Sequence, residues 1–468
     1  MSFWTGRDPA EMRCAVRFIG FAIALCLFAR GASALADEPA ASNVLPRIEK
    51  SSLAANAARR KILFAKMMAD PANLDVAFEY AALSSQAGDL ESAISTLERM
   101  LIFAPKVPRL QLELGVLYYR LGSYQLAQNY LTAALQAPDV PAEVRARVEP
   151  YLAEIHNRTA IDRFNGTITF GTRYQSNANG GASSDIVNIG GIPLLLSDAA
   201  LADSDVNGFV LGNFIYSHDL ASQGDRFDAQ LLTYGAFYND HHEINTGLAE
   251  LTFGPVISLD RFGFDKTDFG IYGILGGVML HGDPYRWSGG IGARLAKAFT
   301  RDTRGELRVE YRYQDYRDSD LRPTASDRTG SNINIIGTLR HQITNRFAAY
   351  AGLEGERHDA RRGYESYWSL GGTIGGVYLL DPLIGNGSQP WTANLSFGVL
   401  DRSYDEPDSL MAAYDRHDVE TFVQGILTIP LRETWSMQAV ASYRNVNSNY
   451  DIDKFDNVSV SLGFTKSF

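Results

Sequence analysis

The chain has 468 residues, 45% hydrophobic, 21% charged and 11% aromatic, with a formal net charge of -11. Length predicts two or three domains with sizeable cores. The acidic excess excludes a general nucleic-acid binder, and the modest charge with many aromatics excludes a disordered chain. Of 42 glycines, three lie between residues 37 and 163 and 36 between 164 and 468, so two architectures share the chain.

The run 18–29 is apolar, follows Arg13 and Arg17, and leads to Ala34-Leu35-Ala36. A basic start, a short apolar stretch and an A-x-A site predict a secretory signal peptide over 1–36, too short to span a membrane as a helix. Cys14 and Cys26 both lie inside it, so the mature chain is expected to lack disulfides and thiolate chemistry. Residues 37–49 read as a linker.

From 50 to 157 the chain is rich in good helix formers. Ala81, Gly88, Ala93, Leu97 and Met100 recur 34 residues later as Gly115, Gly122, Ala127, Leu131 and Ala134. With Leu114 and Tyr118, and with Pro105 and Pro138 near the repeat ends, this resembles the tetratricopeptide consensus. Leu53, Ile62, Leu63 and Met67 before the repeats, and Val144, Val148, Tyr151, Leu152 and Ile155 after them, supply flanking helices. Such a solenoid offers a groove for an extended segment; the alternative is a spacer.

Beyond 158 the hydrophobic period becomes two. Leu307, Val309, Tyr311 and Tyr313 alternate with Glu306, Arg308, Glu310, Arg312 and Gln314. Strands are expected near 164–175, 206–219, 226–239, 243–259, 267–281, 284–299, 303–317, 328–342, 345–358, 363–380, 389–404, 415–430, 433–446 and 455–468. An even set with an aromatic-rich apolar face and a charged opposite face predicts an antiparallel transmembrane β-barrel of about 14 strands over 158–468. A dry sandwich core could not take those charges unpaired. With the helices in the periplasm, the 30-residue connection 176–205, rich in Gly, Ser, Asn and Asp, becomes extracellular, and 381–388 becomes a periplasmic link longer than ideal. Arg308, Glu310, Arg312, Arg340, Glu354 and Glu356 are the candidate lumen residues, as a stiffening ion-pair network or a polar path. Leu462, Phe464 and Phe468, interrupted by Lys466, resemble the terminal strand by which such barrels are recognised for insertion, which implies the barrel-assembly machinery and outer-membrane lipid as partners.

No catalytic, cofactor-binding or metal-ligating pattern stands out, and no enzymatic activity is expected. The eight histidines lack ligand spacing, and His241-His242-Glu243 reads as a hairpin tip. Asp203-Ser-Asp205-Val-Asn207-Gly208 resembles half a calcium loop, but Phe214 stands where its twelfth-position carboxylate belongs.

A short tetratricopeptide domain before such a barrel resembles the Slam family, the surface lipoprotein assembly modulators of Gram-negative bacteria. The segment from Phe170 to Asn179, with Gly171, Tyr174, Ser176, Asn177 and Asn179, looks like the family's barrel opening, with Gln175 where Asp is more usual. The resemblance implies an outer-membrane factor that moves a client lipoprotein or secreted protein outward, the helices receiving it and the barrel passing it. An exopolysaccharide exporter, whose solenoid would be longer, and a passive porin are the alternatives.

Overall fold

The computed structural model describes residues 50–468 apart from 71–72, 106, 137–139, 141, 223 and 383–388. The expected signal peptide, the linker, Pro138 and most of the 381–388 link lie outside the described residues. The chain divides into two compact units, one ending at Arg163 and the other running from Phe164 to Phe468.

Six helices make up the described part of the first unit: α1 (Lys50–Ala69), α2 (Leu74–Gln86), α3 (Leu90–Phe103), α4 (Pro108–Leu121), α5 (Tyr124–Leu135) and α6 (Ala142–Thr159). Their ends follow from local chemistry. The Asn73 side chain accepts from Val76 N–H at 3.1 Å and Asp89 from Ser92 N–H at 3.2 Å, each satisfying a donor the helix leaves open. Pro108 opens α4, and Gly122 closes it at φ 83°, where any Cβ is strained. The repeat residues form the packing. Ala81, Ala93, Leu97 and Met100 pack with Leu110, Leu114 and Leu117, while Ala127, Leu131 and Ala134 pack with Leu112, Val148 and Ile155. At Gly115 a Cβ would lie 2.5 Å from Leu131 Cγ, so α4 and α5 cross where only hydrogen fits. Tyr118 donates to Glu98 at 2.6 Å and stacks on Tyr130. Burial, and then the neighbouring Glu98 carboxylate, hold the Tyr118 phenol well above its ordinary pKa, so it stays a donor. This unit is a tetratricopeptide-like solenoid.

The second unit is a closed antiparallel barrel of 14 strands. Its first strand is β1 (Asp162–Gln175), followed by a small hairpin, β2 (Ile186–Ile189) and β3 (Ile192–Leu195), that stays outside the barrel. The wall continues with β4 (Asp205–Asp219), β5 (Arg226–Tyr238), β6 (Thr246–Ser258), β7 (Thr267–Leu280), β8 (Asp283–Ala298), β9 (Thr303–Tyr316) and β10 (Gly330–Thr344). It ends with β11 (Phe347–Ala360), β12 (Tyr367–Leu380), β13 (Trp391–Tyr404), β14 (His417–Arg432), β15 (Trp435–Ser448) and β16 (Phe455–Ser467). Each neighbours the next in sequence, and β1 pairs with β16, for example Arg173 with Ser461. Strands of about 14 residues tilted by about 40° rise roughly 35 Å, enough to cross a bilayer.

One rim carries most of the long connections. The first of these, which composition marks as a plain polar loop, contains the β2–β3 hairpin. Val187, Leu196 and Ala200 pack there against Met411, Ala412, Tyr450 and Ile452 of two other loops. Alternation within Ile186–Leu195 is obscured by Gly190, Gly191 and Pro193, which is why a strand pattern is hard to read there. The same rim also holds one tight turn, His281-Gly282, with φ 55° and 88°, the left-handed pair that a two-residue hairpin requires.

The terminal strand closes the barrel. Phe468 exchanges backbone hydrogen bonds with Gly166 at 2.9 and 3.0 Å, and its ring stacks 6.2 Å from Phe214, which stacks in turn on Phe164. Leu462 and Phe464 face outward beside it, Phe464 against Phe170. Lys466, the break in the alternation, also faces outward, with its ammonium 5.6 Å from the Trp435 ring centre.

Candidate functional site: the inner wall of the barrel

Strand parity sorts the barrel's side chains. Leu307, Val309, Tyr311, Ile333, Ile335, Trp368, Leu370, Leu395, Phe397, Val460 and Leu462 are exposed on the outer wall, whereas the inner wall is polar. Because neighbouring strands pair without slippage in this region, inward residues line up in rows. Glu310, Asn334, Glu356, Ser369, Arg402 and Asp418 sit side by side across six strands. The next row toward the long-loop rim carries Arg312, Asn332, His358, Tyr367 and Tyr404. The row on the other side carries Arg308, Ile336, Glu354, Gly371, Leu400 and Glu420.

All six candidate lumen residues lie on this inner wall. Arg312 donates to Glu250 at 2.6 Å and to Glu310 at 2.7 and 3.0 Å, and Tyr272 donates to Glu310 at 2.8 Å. Arg308 pairs with Glu306 at 3.0 Å. Glu354 accepts from Asn334 at 2.7 Å, and Glu356 from Asn332 at 2.6 Å and Tyr367 at 2.9 Å. Arg340 stands opposite Arg304 on β9 and Tyr350 on β11, nearer the short-turn rim and apart from the others.

Further residues complete the belt. Arg444 grips Glu420 through two bonds of 2.7 Å, and Arg416 holds Asp418 at 2.6 and 3.0 Å and Asp453 at 3.2 Å. The Arg402 guanidinium lies 4.7 Å from the Tyr367 ring centre, and Arg416 the same distance from Tyr404. Nearer the short-turn rim Arg226 bridges Asp228 and Asp268, each at 3.1 Å. Charge-assisted, often bidentate bonds of this kind stiffen a wall while leaving polar atoms along it. Sequence parity on β9 and β11 marks only part of this set. The same alternation on β5, β6, β13, β14 and β15 is the signal that would have found Arg226, Glu250, Arg402, Glu420 and Arg444.

The conspicuous segment at the start of the barrel has a fastening role. Gln175 Oε1 accepts from Asn207 at 3.0 Å and Tyr238 at 3.1 Å. Asn177 exchanges bonds with Gly181 and donates to Asp456 O, and Asn179 ties Gly181, Leu201 and Asp203 together. These amides pin both ends of the 176–204 connection. In the half calcium loop, Asp205 caps the backbone N–H of Val206, Asp240 and His241, and Asn207 is spent on Gln175. His241 precedes the 3₁₀ turn His242–Ile244, lying 2.9 Å from Glu243 within it and 3.3 Å from Asp203. Among the described residues, no group of three or more His, Cys, Asp and Glu is arranged to hold a metal.

On the helical unit, one face of α2, α4 and α6 is cross-linked at the repeat spacing. Arg109 sits 5.1 Å over Phe78, Arg120 donates to Ser85 at 2.6 Å, and Arg147 pairs with Glu113 at 3.4 Å. Tyr119 meets Tyr151 edge to face. Aromatic and arginine groups share one surface there.

No protein-family model and no curated protein sequence matches the chain. Among solved structures, the type III secretion chaperone SycD of Yersinia enterocolitica, in complex with a peptide of the translocator YopD, is 16% identical. It covers 26% of this chain and 98% of its own, at a TM-score of 0.22. A bacterial polysaccharide outer membrane secretin is 12% identical over 65% of this chain and 98% of its own, with a TM-score of 0.33. The outer membrane channel DcaP of Acinetobacter baumannii is 8% identical over 66% and 97%, with a TM-score of 0.35.

Proposed function

We propose that this protein is an outer-membrane translocation factor that moves lipoproteins or secreted proteins to the cell surface, as the resemblance to the Slam family implies. The helical unit lies in the periplasm and receives an extended client, and the barrel carries it outward. The observation that carries this reading is the pairing of two surfaces in one chain. One is an α2–α4–α6 face bearing Phe78, Arg109, Tyr119 and Arg147. The other is an apolar-out barrel whose inner wall is a belt of paired charges.

An extended segment has unpaired backbone donors and acceptors, so its passage is cheapest along a wall that can exchange polar contacts at every step. Paired charges of both signs suit a chain of mixed sequence better than an ion-selective pore, which favours one sign. Aromatic rings and arginines on the helical face suit recognition by stacking and by bonds to main-chain carbonyls.

Protease shaving of intact cells with and without the gene tests the proposal. Loss of one or a few surface proteins, at unchanged total amounts, supports it. An unchanged protein surface refutes it. In a second arm, Arg109→Glu with Tyr119→Ala is expected to abolish display while barrel insertion stays intact. The Arg402–Tyr367 and Arg416–Tyr404 stacks favour one other cargo, a polysaccharide. Loss of surface sugar rather than protein in the same knockout would select that reading.

A further inference from the structure

Two rows nearer the long-loop rim than Arg312, the inner wall holds arginines that the ion-paired belt does not use. A bulge in β8 brings the first of them in. Val278 of β7 pairs with Arg286 and Met279 with Pro284, so Tyr285 is the extra residue. The two neighbours Tyr285 and Arg286 are therefore both buried, at 3% and 8% exposure, where plain alternation would turn one of them outward. Arg286 stands opposite Tyr316 of β9 with its guanidinium 5.8 Å from that ring centre, and the Tyr285 and Tyr316 rings meet edge to face at 5.3 Å. The β9–β10 connection folds back over them. Its Ala325 packs on Tyr285, and its Arg322, 3% exposed, lies 5.9 Å from the Tyr285 ring centre.

These side chains have donors to spare. Among the described residues Arg286 makes no ion pair and no hydrogen bond; its Nε is sealed from solvent, whereas its Nη atoms are not. Arg322 donates from one Nη to Glu243 O at 2.7 Å, and its buried Nε has no acceptor. The Tyr285 hydroxyl accepts from Arg328 at 3.5 Å, and its own hydrogen has no acceptor among the described residues. Arg328 is matched by Glu365 at 3.2 Å, but neither Arg286 nor Arg322 has a carboxylate at ion-pair distance there. Burial pulls the Arg322 pKa below the ordinary arginine value, and it outweighs the more distant Glu243 and Asp283 carboxylates. Ring faces attract such charges but leave the N–H donors unused, and buried donors without acceptors are costly.

We infer that Arg286, Arg322 and Tyr285 bind a phosphoryl group, as free phosphate or as a phosphate monoester. Such a group carries about -1.5 to -2 charge at pH 7 and three strong acceptor oxygens. That complements two guanidinium groups without carboxylates of their own and one unused hydroxyl. A carboxylate brings a single charge and two oxygens. The site does not depend on the cargo that the barrel carries.

The test is isothermal titration calorimetry of the full chain, purified into detergent in phosphate-free buffer, with inorganic phosphate, glucose 6-phosphate and acetate as probes. At least one of the two phosphate probes is expected to bind about tenfold or more tightly than acetate. Tighter binding of inorganic phosphate assigns the site to the free ion, and tighter binding of glucose 6-phosphate assigns it to an ester. Arg286→Gln and Arg322→Gln are each expected to weaken that binding at least about tenfold. Tyr285→Phe removes only the hydroxyl from a packed ring and is expected to weaken it about fivefold. Arg357→Gln, which removes a guanidinium already committed to Asp405, is expected to change nothing. Heat-modifiability gels show which variants assemble, and Tyr285→Phe keeps the test decisive if an arginine variant does not. No binding of either phosphate probe, acetate bound as tightly, or unchanged affinity in Tyr285→Phe or in an assembled arginine variant would each overturn the inference.

Discussion

Replacing Arg312 by Met asks whether the charged belt is a dry structural network or a wetted path. Arg312 is the shared partner of Glu250 and Glu310, and the side chains are 11%, 13% and 4% exposed. Removing the cation leaves two carboxylates facing one another with little water. Breaking a buried pair on one side costs about 3–5 kcal/mol, because the remaining charge stays desolvated. Tyr272 still donates to Glu310, and Glu250 keeps some solvent, so the lower half of that range applies. About 3 kcal/mol is roughly a hundredfold in the folding equilibrium, at 1.4 kcal/mol for each factor of ten. Adding Glu250→Gln and Glu310→Gln to Arg312→Met removes both carboxylate charges and is expected to restore stability to within about 1 kcal/mol of wild type. Urea unfolding of the barrel in lipid vesicles, read by tryptophan fluorescence, measures all three proteins. A loss below about 1 kcal/mol for the single variant would match an exposed pair. It would refute the reasoning that Arg312 and its two carboxylates are shielded from water at this height.

Four further outcomes follow from the geometry. Gly115→Leu is expected to cost about 1–3 kcal/mol by forcing α4 away from α5, seen as faster hydrogen exchange in both helices. Phe468→Ala keeps the backbone bonds to Gly166 but removes the ring stacked on Phe214, so the yield of assembled barrel on a heat-modifiability gel is expected to fall. Deleting 186–195 strips the packed hairpin from the long-loop rim and is expected to raise conductance in planar bilayers; unchanged conductance would mean the hairpin does not obstruct the mouth. Burial pulls the His241 pKa down, but Glu243 and Asp203 outweigh it and leave it raised above 6.5. The stabilisation of this contact is therefore full below the unfolded-state value and lost as pH rises through the folded one. Protection across 239–245, corrected for the intrinsic rise of amide exchange with pH, should fall as pH rises above 6.5 in the wild type and show no such fall in His241→Gln.

The sequence is most legible where a local rule acts alone. The 34-residue repeat is readable because Gly115, Ala127 and Leu131 meet at one helix crossing, and that crossing tolerates few residue types. The strands are readable because a bilayer outside and polar groups inside impose strict alternation, as at Leu307 to Gln314. Pairing across the barrel is not readable in this way. Glu250 and Arg312 are 62 residues apart, and only the registers of β6 to β9 bring them to one height. Likewise nothing in Gln175, Asn207 and Tyr238 taken singly announces that they meet.

That division also bears on what a barrel-opening motif can signify. Asn177 and Asn179 spend their bonds on the backbone of Gly181, Leu201, Asp203 and Asp456. They hold the two ends of a connection whose hairpin packs on the loops before β14 and β16. In this chain the motif anchors a long loop at the first strand of the barrel. It therefore speaks for a fixed cap rather than for a particular cargo. On the proposed function, cargo is read from the side chains a traveller would touch, the Arg402, Arg416 and Arg444 belt and the Phe78–Tyr119 face, and because the belt arginines sit in buried ion pairs, a substitution there must be judged for its effect on barrel stability as well as on cargo.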